Sequence, residues 1–352
     1  MLNCNSKVLY SLKDVAIMPA AISDIEHRNE CNPCYESDDK LPIFTAPMPC
    51  VIDKNNYKTF EKYGIHAILP RTEKLDERMS LCNNVWCAFS LSEFEHMFID
   101  NDVTHDTMYV LIDIANGNMK KLFDISLSGK EKYGSRLVLM VGNIANPSTY
   151  EKFCEIGVDY VRCSVGSGQA CCTSTCLGIL YPLASLINEC KLIKTKYELR
   201  NKITHSFDKK VPAIIADGGL SSYRRMIKSL ALGADYIMLG SVLNKLEDSA
   251  GEVITKMAMG ENGHLVETRF KEFYGMASEK GMKMLGKSGT PEGKIIYNKC
   301  EGTIESFTED FKGFLRSAMS YTNFRRIEDF IGGPTLNVLS TNASNQFNQS
   351  TS

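Results

Sequence analysis

The stretch "AIIADGGLSSYRRMIKSLALGADYIMLGS" (213–241) contains two short apolar runs separated by a helical pattern. The run 213–219 ends in an aspartate and two glycines, and the run 235–241 ends in glycine and serine. In 221–234 apolar residues recur at three- and four-residue steps after a serine start signal. A strand, a helix and a second strand in this order predict a parallel strand pair, because the chain must cross back over the sheet between them.

The same unit recurs along most of the chain. Strands that alternate with helices and are apolar on both faces predict an α/β protein with a buried parallel sheet. Eight such units fit a (β/α)8 TIM barrel, and a doubly wound open sheet is the alternative that the pattern leaves open. The eight apolar runs are 41–47, 65–70, 85–91, 108–117, 136–144, 158–166, 213–219 and 235–241.

Three segments lie outside this repeat. Residues 260–302 are rich in Gly, Lys and Glu and lack strong periodicity, so we interpret them as a mobile flap after the eighth strand. The stretch 303–330 predicts one or two C-terminal helices that pack on the barrel. The polar tail 336–352 is predicted to be disordered, which leaves a single barrel domain over 1–335.

The composition favours a small ligand in a reducing compartment. The chain has 40 basic and 42 acidic residues without a long block of one sign, so neither a nucleic acid nor a membrane surface is an expected partner. The N-terminus lacks the apolar region of a signal peptide, and the 13 cysteines predict mostly buried thiols in a cytoplasmic protein. Cys31 and Cys34 could form half of a zinc site, but no second pair follows, and a plain turn is favoured.

Barrel geometry places the candidate site at the loops that follow the carboxyl ends of the strands. Glycines after the seventh and eighth strands predict a phosphate site, because backbone N–H groups can approach a phosphate closely there. Asp217 could accept hydrogen bonds from a ribose, although a turn or helix-cap role is the alternative. No G-x-G-x-x-G motif follows a strand, so a dinucleotide would not bind in the Rossmann manner. Further strand-end candidates are Met48, Arg71, Asp113, Asn116, Gly117, Gly142 and Asn143.

The loop after the sixth strand reads "GSGQACCTST" (166–175). Gly166 and Gly168 allow its carbonyls or amides to fold around an ion or a ligand. A cysteine at the barrel mouth could act as a thiolate nucleophile with Thr173 as a proton relay. The alternative is that Cys171 and Cys172 are both core residues at the start of a helix.

Several motifs, in this order along the chain, resemble the IMP dehydrogenase/GMP reductase family. The resemblance covers about residues 8 to 330 and implies a (β/α)8 barrel. The segment between the second and third strands is too short for the regulatory domain that most of the dehydrogenases insert, and the flap lacks their water-activating Arg-Tyr pair. The chain is more similar to the GMP reductases, whose Glu-Gly-Lys run is matched by 292–294. The motifs are "LKDVAIMPA" (12–20), "LPIFTAPM" (41–48), "LIDIANG" (111–117), "VGNIANP" (141–147), "VGSGQACCTS" (165–174), "IIADGGLSSYRRMIKSLALGADYIMLGSVL" (214–243), "EFYGMASE" (272–279), "PEGK" (291–294) and "SAMSY" (317–321).

The resemblance implies NADPH-dependent conversion of GMP to IMP with release of ammonia. The family pattern puts the nucleophile on Cys171, which would add to C2 of the guanine, and leaves Cys172 as a spectator. Thr173 and Glu292 match the pair that handles the proton of the leaving ammonia, a general acid/base role. Hydride from the nicotinamide then reaches C2 and the thiol leaves.

Binding residues and assembly are implied in the same way. The family also implies a homotetramer, with cofactor contacts near 317–321 across a subunit boundary. A potassium ion is implied at the backbone carbonyls of Gly166, Gly168 and Cys171. Residues matching nucleotide contacts are Met48, Gln169, Asp217, Gly218, Gly219, Gly240, Ser241, Met276, Ala277 and Ser278. Residues assigned to the cofactor are Arg71, Asp113, Asn116, Gly117, Ser317 and Tyr321.

Several positions depart from the family pattern. Ser167 stands where proline is usual, Gln169 replaces a residue close to the phosphate, and "PMPC" (47–50) replaces the usual sequence near the first strand. Arg224 and Arg225 replace a Gly-Asp pair. These changes leave two other functions open: oxidation of IMP to XMP with NAD, and purine-nucleotide binding without turnover.

Overall fold

The computed structural model of the chain describes residues 7–168, 170, 172–204, 210–259 and 263–349, with the side chains of 348 and 349 left aside. The strands are β1 (Val15–Ile17), β2 (Ile43–Thr45), β3 (Ile68–Leu69), β4 (Trp86–Phe89), β5 (Met108–Asp113), β6 (Leu137–Ile144), β7 (Tyr160–Cys163), β8 (Ala213–Asp217), β9 (Tyr236–Leu239), β10 (Val253–Met259), β11 (Leu265–Tyr274), β12 (Ile295–Lys299) and β13 (Leu336–Val338). The helices are α1 (Tyr57–Lys62), α2 (Leu75–Leu81), α3 (Leu91–Phe94), α4 (Lys120–Tyr133), α5 (Pro147–Ile156), α6 (Thr173–Leu177), α7 (Leu183–Thr204), α8 (Tyr223–Leu232), α9 (Ser241–Asn244), α10 (Glu279–Met284), α11 (Ile304–Tyr321), α12 (Ile327–Phe330) and α13 (Thr341–Gln349).

The predicted TIM barrel is confirmed. One eight-stranded sheet has the order β2-β9-β8-β7-β6-β5-β4-β3, and all its neighbouring strands are parallel. The sheet closes where Thr45 N donates to His66 O and His66 N donates to Ile43 O, both at 2.9 Å. An open sheet would leave these two edges apart, so the doubly wound alternative is wrong.

The strands fold as predicted because each is apolar on both faces. Along β5, Leu111 points into the barrel, whereas Val110 and Ile112 point outward against the helices. The interior cluster consists of Phe44, Ala46, Ile68, Trp86, Ala88, Leu111, Met140, Ile215 and Met238, all of them buried. The barrel is therefore a packed core, and ligands can reach only its ends.

Helix signals in the sequence work as expected at α5. Asn146 caps its N-terminus by accepting a hydrogen bond from Ser148 N at 2.9 Å, and Pro147 occupies the first turn. Gly157 ends the helix with φ +83°, a left-handed conformation that suits glycine. These local signals bring the chain back across the sheet to β7.

The segment after the eighth barrel strand contains more structure than its weak periodicity indicated. β10, β11 and β12 form an antiparallel sheet, with α10 between the last two strands. Lys271 and Phe273 of β11 are buried, whereas β10 has no buried residue. The buried residues of β11 lie mainly in its second half, so buried and exposed positions do not alternate strictly along these strands. Residues 260–262 lie outside the described ranges.

The C-terminal helices α11 and α12 agree with the prediction, but the tail differs from it. β13 pairs antiparallel with β1, and α13 follows within the stretch expected to be disordered. The Phe347 ring lies 5.3 Å from the Arg224 guanidinium and 4.9 Å from Lys228 Nζ. These partners are distant in sequence, so the composition of 336–349 gave no sign of them.

Most of the described cysteines fill the core. Eight of the 11 that the structure describes are buried, and none of these 11 is in a disulfide. Within the described ranges, none of the helices combines the length and the apolar character that a membrane crossing requires.

Aromatic side chains fill the amino-terminal end of the barrel. Phe44 stacks on His66 at 4.7 Å and meets Trp86, Tyr160 and Tyr236 edge-on at 5.1 to 5.8 Å between ring centroids. His66 Nε2 is buried without a hydrogen-bond partner in the described chain, and its nearest carboxylate oxygen, on Asp38, is 3.7 Å away. Burial, together with nearby Lys40, lowers the pKa of His66 to about 3.

We expect His66 to weaken the fold in acid. The folded state keeps this imidazole neutral, whereas the unfolded chain protonates it near pH 6.5. The free energy of unfolding therefore decreases as the pH falls below that value, because protonation favours the unfolded chain. Between pH 7.5 and pH 5 the loss amounts to about 2 kcal/mol. Urea unfolding of the wild type and of His66→Gln at both pH values checks this: the variant should lose less stability in acid. An equal loss in the two proteins would contradict it.

Candidate active site

The carboxyl ends of the barrel strands carry a connected set of charged side chains. Asp113, at the end of β5, accepts hydrogen bonds from Arg71 Nε at 3.1 Å and from Arg162 Nη1 at 2.6 Å. Arg162 lies on β7, and its Nη2 donates to Asp217 Oδ2 at 3.0 Å at the end of β8. Asn143 of β6 donates from Nδ2 to the same oxygen at 2.6 Å. One guanidinium thus bridges two carboxylates from different strands.

Electrostatics keep this group ionised. Burial alone would raise the pKa of Asp113, but Arg71 and Arg162 outweigh it and hold that pKa below its usual range. Burial likewise opposes the charge on Arg162, and Asp217 and Asp113 raise its pKa above the ordinary value. The network therefore presents fixed charges at neutral pH.

Arg162 was missed in the sequence analysis. Its side chain is only 7% exposed, and it passes Gly142, where an added Cβ would lie 2.7 Å from the Arg162 Cβ. The available signal was the single cation in the largely apolar run 158–166, because a buried cation needs a partner of opposite charge.

Two glycine-containing loops abut beside this network. A Cβ on Gly218 would lie 3.1 Å from Gly168 N, and one on Gly219 would lie 3.1 Å from Ser167 O. Both glycines have positive φ, +83° and +72°, so the loop after β8 depends on them. The structure thus brings together the two loops in which the sequence placed phosphate and cation contacts.

The segment 291–294 closes over the loop after β7. Cys172 N donates to Glu292 O at 2.8 Å, Lys294 N donates to Ala170 O at 3.0 Å, and Glu292 N donates to Ala277 O at 3.0 Å. A Cβ on Gly293 would lie 3.0 Å from Ser278 N and 3.2 Å from Ala170 O. The neighbouring backbone therefore leaves no room for a side chain at position 293, where the segment 291–294 crosses the loop after β7.

This crossing brings together the predicted acid/base pair. Thr173, the first residue of α6, donates from Oγ1 to Glu292 Oε2 at 3.4 Å. The two residues are 119 positions apart in the sequence. Cys171 and Gln169, which the sequence assigns to the thiol and the phosphate side, lie outside the described residues.

Two of the residues assigned to the nucleotide, Met48 and Gly240, meet at the end of β9. A Cβ on Gly240 would lie 3.3 Å from Met48 Sδ and 3.4 Å from the Phe273 ring. Ser241 begins the short helix α9, directly after this glycine. Met276 packs on Gly281, and Ser278 Oγ donates to Gly275 O at 2.6 Å. Met48 and Gly240 are thus neighbours, and Ala277 and Ser278 adjoin the Glu292 segment.

The residues assigned to the cofactor divide into two groups. Gly117 N donates to Asn143 O at 2.8 Å, which places the loop of Asn116 beside the charged network. Ser317 Oγ instead accepts from Arg28 Nη1 at 3.4 Å, and Tyr321 O accepts from Ala20 N at 2.9 Å. Ser317 and Tyr321 therefore face the N-terminal segment, and no hydrogen bond in the described chain joins them to the network.

One part of the predicted potassium site is described. Gly166 O accepts from Ser174 Oγ at 2.9 Å, and a second lone pair of that carbonyl remains for a cation. The loop bends at Gly166 with φ +79°. Its oxygen chemistry fits a monovalent cation, although Cys171 lies outside the described residues.

Comparisons with known proteins agree on one family. A family model for the IMP dehydrogenase / GMP reductase domain matches residues 85–348. A GMP reductase from Photobacterium profundum is 28% identical over 303 residues, which cover 82% of this chain and 81% of that protein. GMP reductases from Shigella boydii and Escherichia coli are 26% identical over 340 and 338 residues, which cover 90% of this chain and 91% of each relative.

We expect Arg162→Met to destabilise the fold by about 3–5 kcal/mol at pH 7, because it leaves two largely buried carboxylates without their shared cation. In the variant, Arg71 remains as the cation that counteracts the effect of burial on Asp113, so the pKa of Asp113 rises. The folded variant then takes up a proton as the pH falls, and its deficit relative to the wild type should shrink towards pH 4. Urea unfolding at pH 7 and pH 4.5 measures both values.

Arg162→Lys is the matched control, since it keeps the charge without the two-armed geometry. It should lose less stability than the Met variant. Equal stability of the wild type and the Met variant at pH 7 would contradict the bridging role.

Proposed function

The chain belongs to the IMP dehydrogenase / GMP reductase family, and we propose that it is an NADPH-dependent oxidoreductase that converts GMP to IMP and ammonia. The observation that carries the proposal is the contact between Thr173 and Glu292, whose oxygens lie 3.4 Å apart. Main-chain hydrogen bonds on both sides of residue 171 support it, because they fix Glu292 against the loop of the proposed nucleophile.

The thiol of Cys171 starts the proposed reaction. As a thiolate it adds to C2 of the guanine base, and the bond from C2 to the exocyclic nitrogen breaks. After reduction at C2, the carbon–sulfur bond breaks and the thiolate is released with IMP. Cys172, whose amide donates to Glu292 O, stays a spectator.

Thr173 and Glu292 move the proton in this scheme. The leaving nitrogen needs a proton to depart as ammonia, and the hydroxyl of Thr173, in contact with Glu292, would pass it on from the carboxyl group. The cofactor NADPH supplies the hydride that reaches C2. Oxidation of IMP would need an activated water instead, and no observation in the described chain favours that reaction.

The nucleotide is proposed to lie across the two abutting loops. Asp217, held by Arg162 and Asn143, would accept from the ribose hydroxyls. The remaining contacts are the ones that the family resemblance implies. The phosphate would lie on Gly218, Gly219, Gly240, Ser241 and Gln169, and the base would lie beside Met48, Met276, Ala277 and Ser278.

The cofactor is proposed to lie on the opposite side of the network. Arg71, Asp113, Asn116 and Gly117 would hold its nicotinamide half. Arg162 Nε is buried and has no hydrogen-bond partner in the described chain, so it offers a donor that a ligand oxygen could satisfy. Ser317 and Tyr321 would contact the cofactor of a neighbouring subunit in a cytoplasmic homotetramer, and a potassium ion would bind the carbonyls of Gly166, Gly168 and Cys171.

A direct assay tests the activity. Purified protein with GMP should oxidise NADPH and release one ammonia per NADPH, followed by nicotinamide absorbance. Cys171→Ala should abolish turnover, because no nucleophile remains, whereas Cys172→Ala should retain much of it. Tight GMP binding without NADPH oxidation, NADH formation from IMP and NAD, or loss of activity only in the Cys172 variant would each overturn the proposal.

Glu292→Gln tests the proton path separately. The amide keeps the size of the carboxylate but cannot shuttle a proton, so kcat should fall by about 10²–10⁴-fold. The KM for GMP should change little, because the main-chain bonds that place residue 292 remain. Steady-state kinetics measure both constants, and a kcat within threefold of the wild type would exclude the general acid role.

A further inference from the structure

Two arginines stand directly after the loop that we propose for phosphate binding. Arg224 and Arg225 occupy the first turn of α8, and both side chains are partly buried. The family pattern has a Gly-Asp pair here, and the proposed reaction does not use either arginine. Their contacts show that they face different parts of the molecule.

Arg225 turns back onto the loop between β8 and α8. Its Nη1 donates to Gly219 O at 3.0 Å and to Ser221 Oγ at 3.2 Å. Its Nε and Nη2 have no hydrogen-bond partner in the described chain. Because these two nitrogens form the edge of a guanidinium that can pair with two oxygens at once, Arg225 holds an open donor pair beside Gly219.

The charge of Arg225 is also uncompensated. No carboxylate in the described chain lies within ion-pair distance of Arg224 or Arg225, and the first turn of α8 contains no acidic residue. Lys228 follows one turn later; burial, then Arg224 and Arg225, lower its pKa to about 8. Asp14 is the carboxylate that opposes this shift at Lys228, and an anion next to the two arginines would relieve the repulsion among the three cations.

Arg224 is directed elsewhere. Its Nη1 donates to Phe347 O at 3.2 Å, and its guanidinium lies 5.3 Å from the centre of the Phe347 ring. Arg224 therefore contacts the C-terminal helix α13, and not the loop of Gly218 and Gly219. The two arginines have the same charge and adjacent positions, and only Arg225 touches the loop.

We propose that Arg225 binds the 5′-phosphate of the nucleotide substrate and makes the site specific for the phosphorylated dianion over the nucleoside. The proposal rests on the function proposed above and adds a residue that the family pattern does not supply. A guanidinium edge matches two phosphate oxygens, and the amides of Gly218 and Gly219 would complete the contact. In this chain the arginine would add a charged contact to a phosphate site in which Gln169 departs from the family pattern.

The test compares Arg225→Ala, Arg225→Lys and the control Arg224→Ala in the full-length protein. Calorimetry with GMP should show affinity reduced about 10- to 100-fold in Arg225→Ala, the range of a charge-assisted hydrogen-bonded pair. Arg225→Lys should lie between this variant and the wild type, because a lysine keeps the charge but not the two-armed contact. Arg224→Ala should stay within about threefold of the wild type.

Guanosine separates a phosphate contact from a loop effect. Its inhibition constant should be the same in the wild type and in Arg225→Ala. An equal loss of affinity for guanosine and GMP would overturn the proposal, as would a loss in Arg224→Ala as large as in Arg225→Ala. Unchanged GMP affinity in Arg225→Ala would also overturn it, whereas a wild type that neither binds nor reduces GMP would refute the proposed function instead.

Discussion

A single guanidinium inside the barrel mouth organises the candidate site. Arg162 cannot lie there without carboxylates, because a buried charge without a partner is far more costly than one in water. Asp113 and Asp217 meet that need from two other strands, and Asn143 and Arg71 complete the set. The ends of β3, β5, β6, β7 and β8 are consequently tied to one another by side chains as well as by the barrel sheet. The proposed ribose and cofactor contacts then become two sides of one charged network.

The second constraint is close approach between backbones. Gly218, Gly219 and Gly293 stand where an added Cβ would meet neighbouring backbone atoms at 3.0 to 3.2 Å. Glu292 reaches Thr173 because the segment around Gly293 is hydrogen-bonded through its main chain to residues 170, 172 and 277. Contacts of this kind depend on where the backbone runs and on small residues. They allow the side chains around them to differ among relatives that share only about a quarter of their residues with this chain.

The sequence predicts the barrel well because each strand has a local signal, a short apolar run that is followed by a segment of helical periodicity. The same reasoning finds Asp113, Asp217 and the glycine loops, which stand at strand ends. It misses Arg162, whose role depends on carboxylates 49 and 55 residues away. It also misses the order of the tail, because β13 and Phe347 find their partners near the start of the chain and on α8. The antiparallel sheet after β9 gave no clear sequence signal because β10 has no buried residue and the buried residues of β11 lie mainly in its second half, so period-two alternation is weak.

The main-chain bonds between the Glu292 segment and the loop after β7 have a thermodynamic consequence. Any ligand that favours the loop geometry seen here also favours the observed position of the Glu292 segment, since Ala170 and Cys172 share main-chain hydrogen bonds with residues 294 and 292. Linkage makes this relation reciprocal: the docked segment must strengthen ligand binding by the same factor by which the ligand strengthens docking of the segment. Binding of the proposed nucleotide and assembly of the contact between Thr173 and Glu292 are therefore coupled equilibria, and each makes the other more favourable.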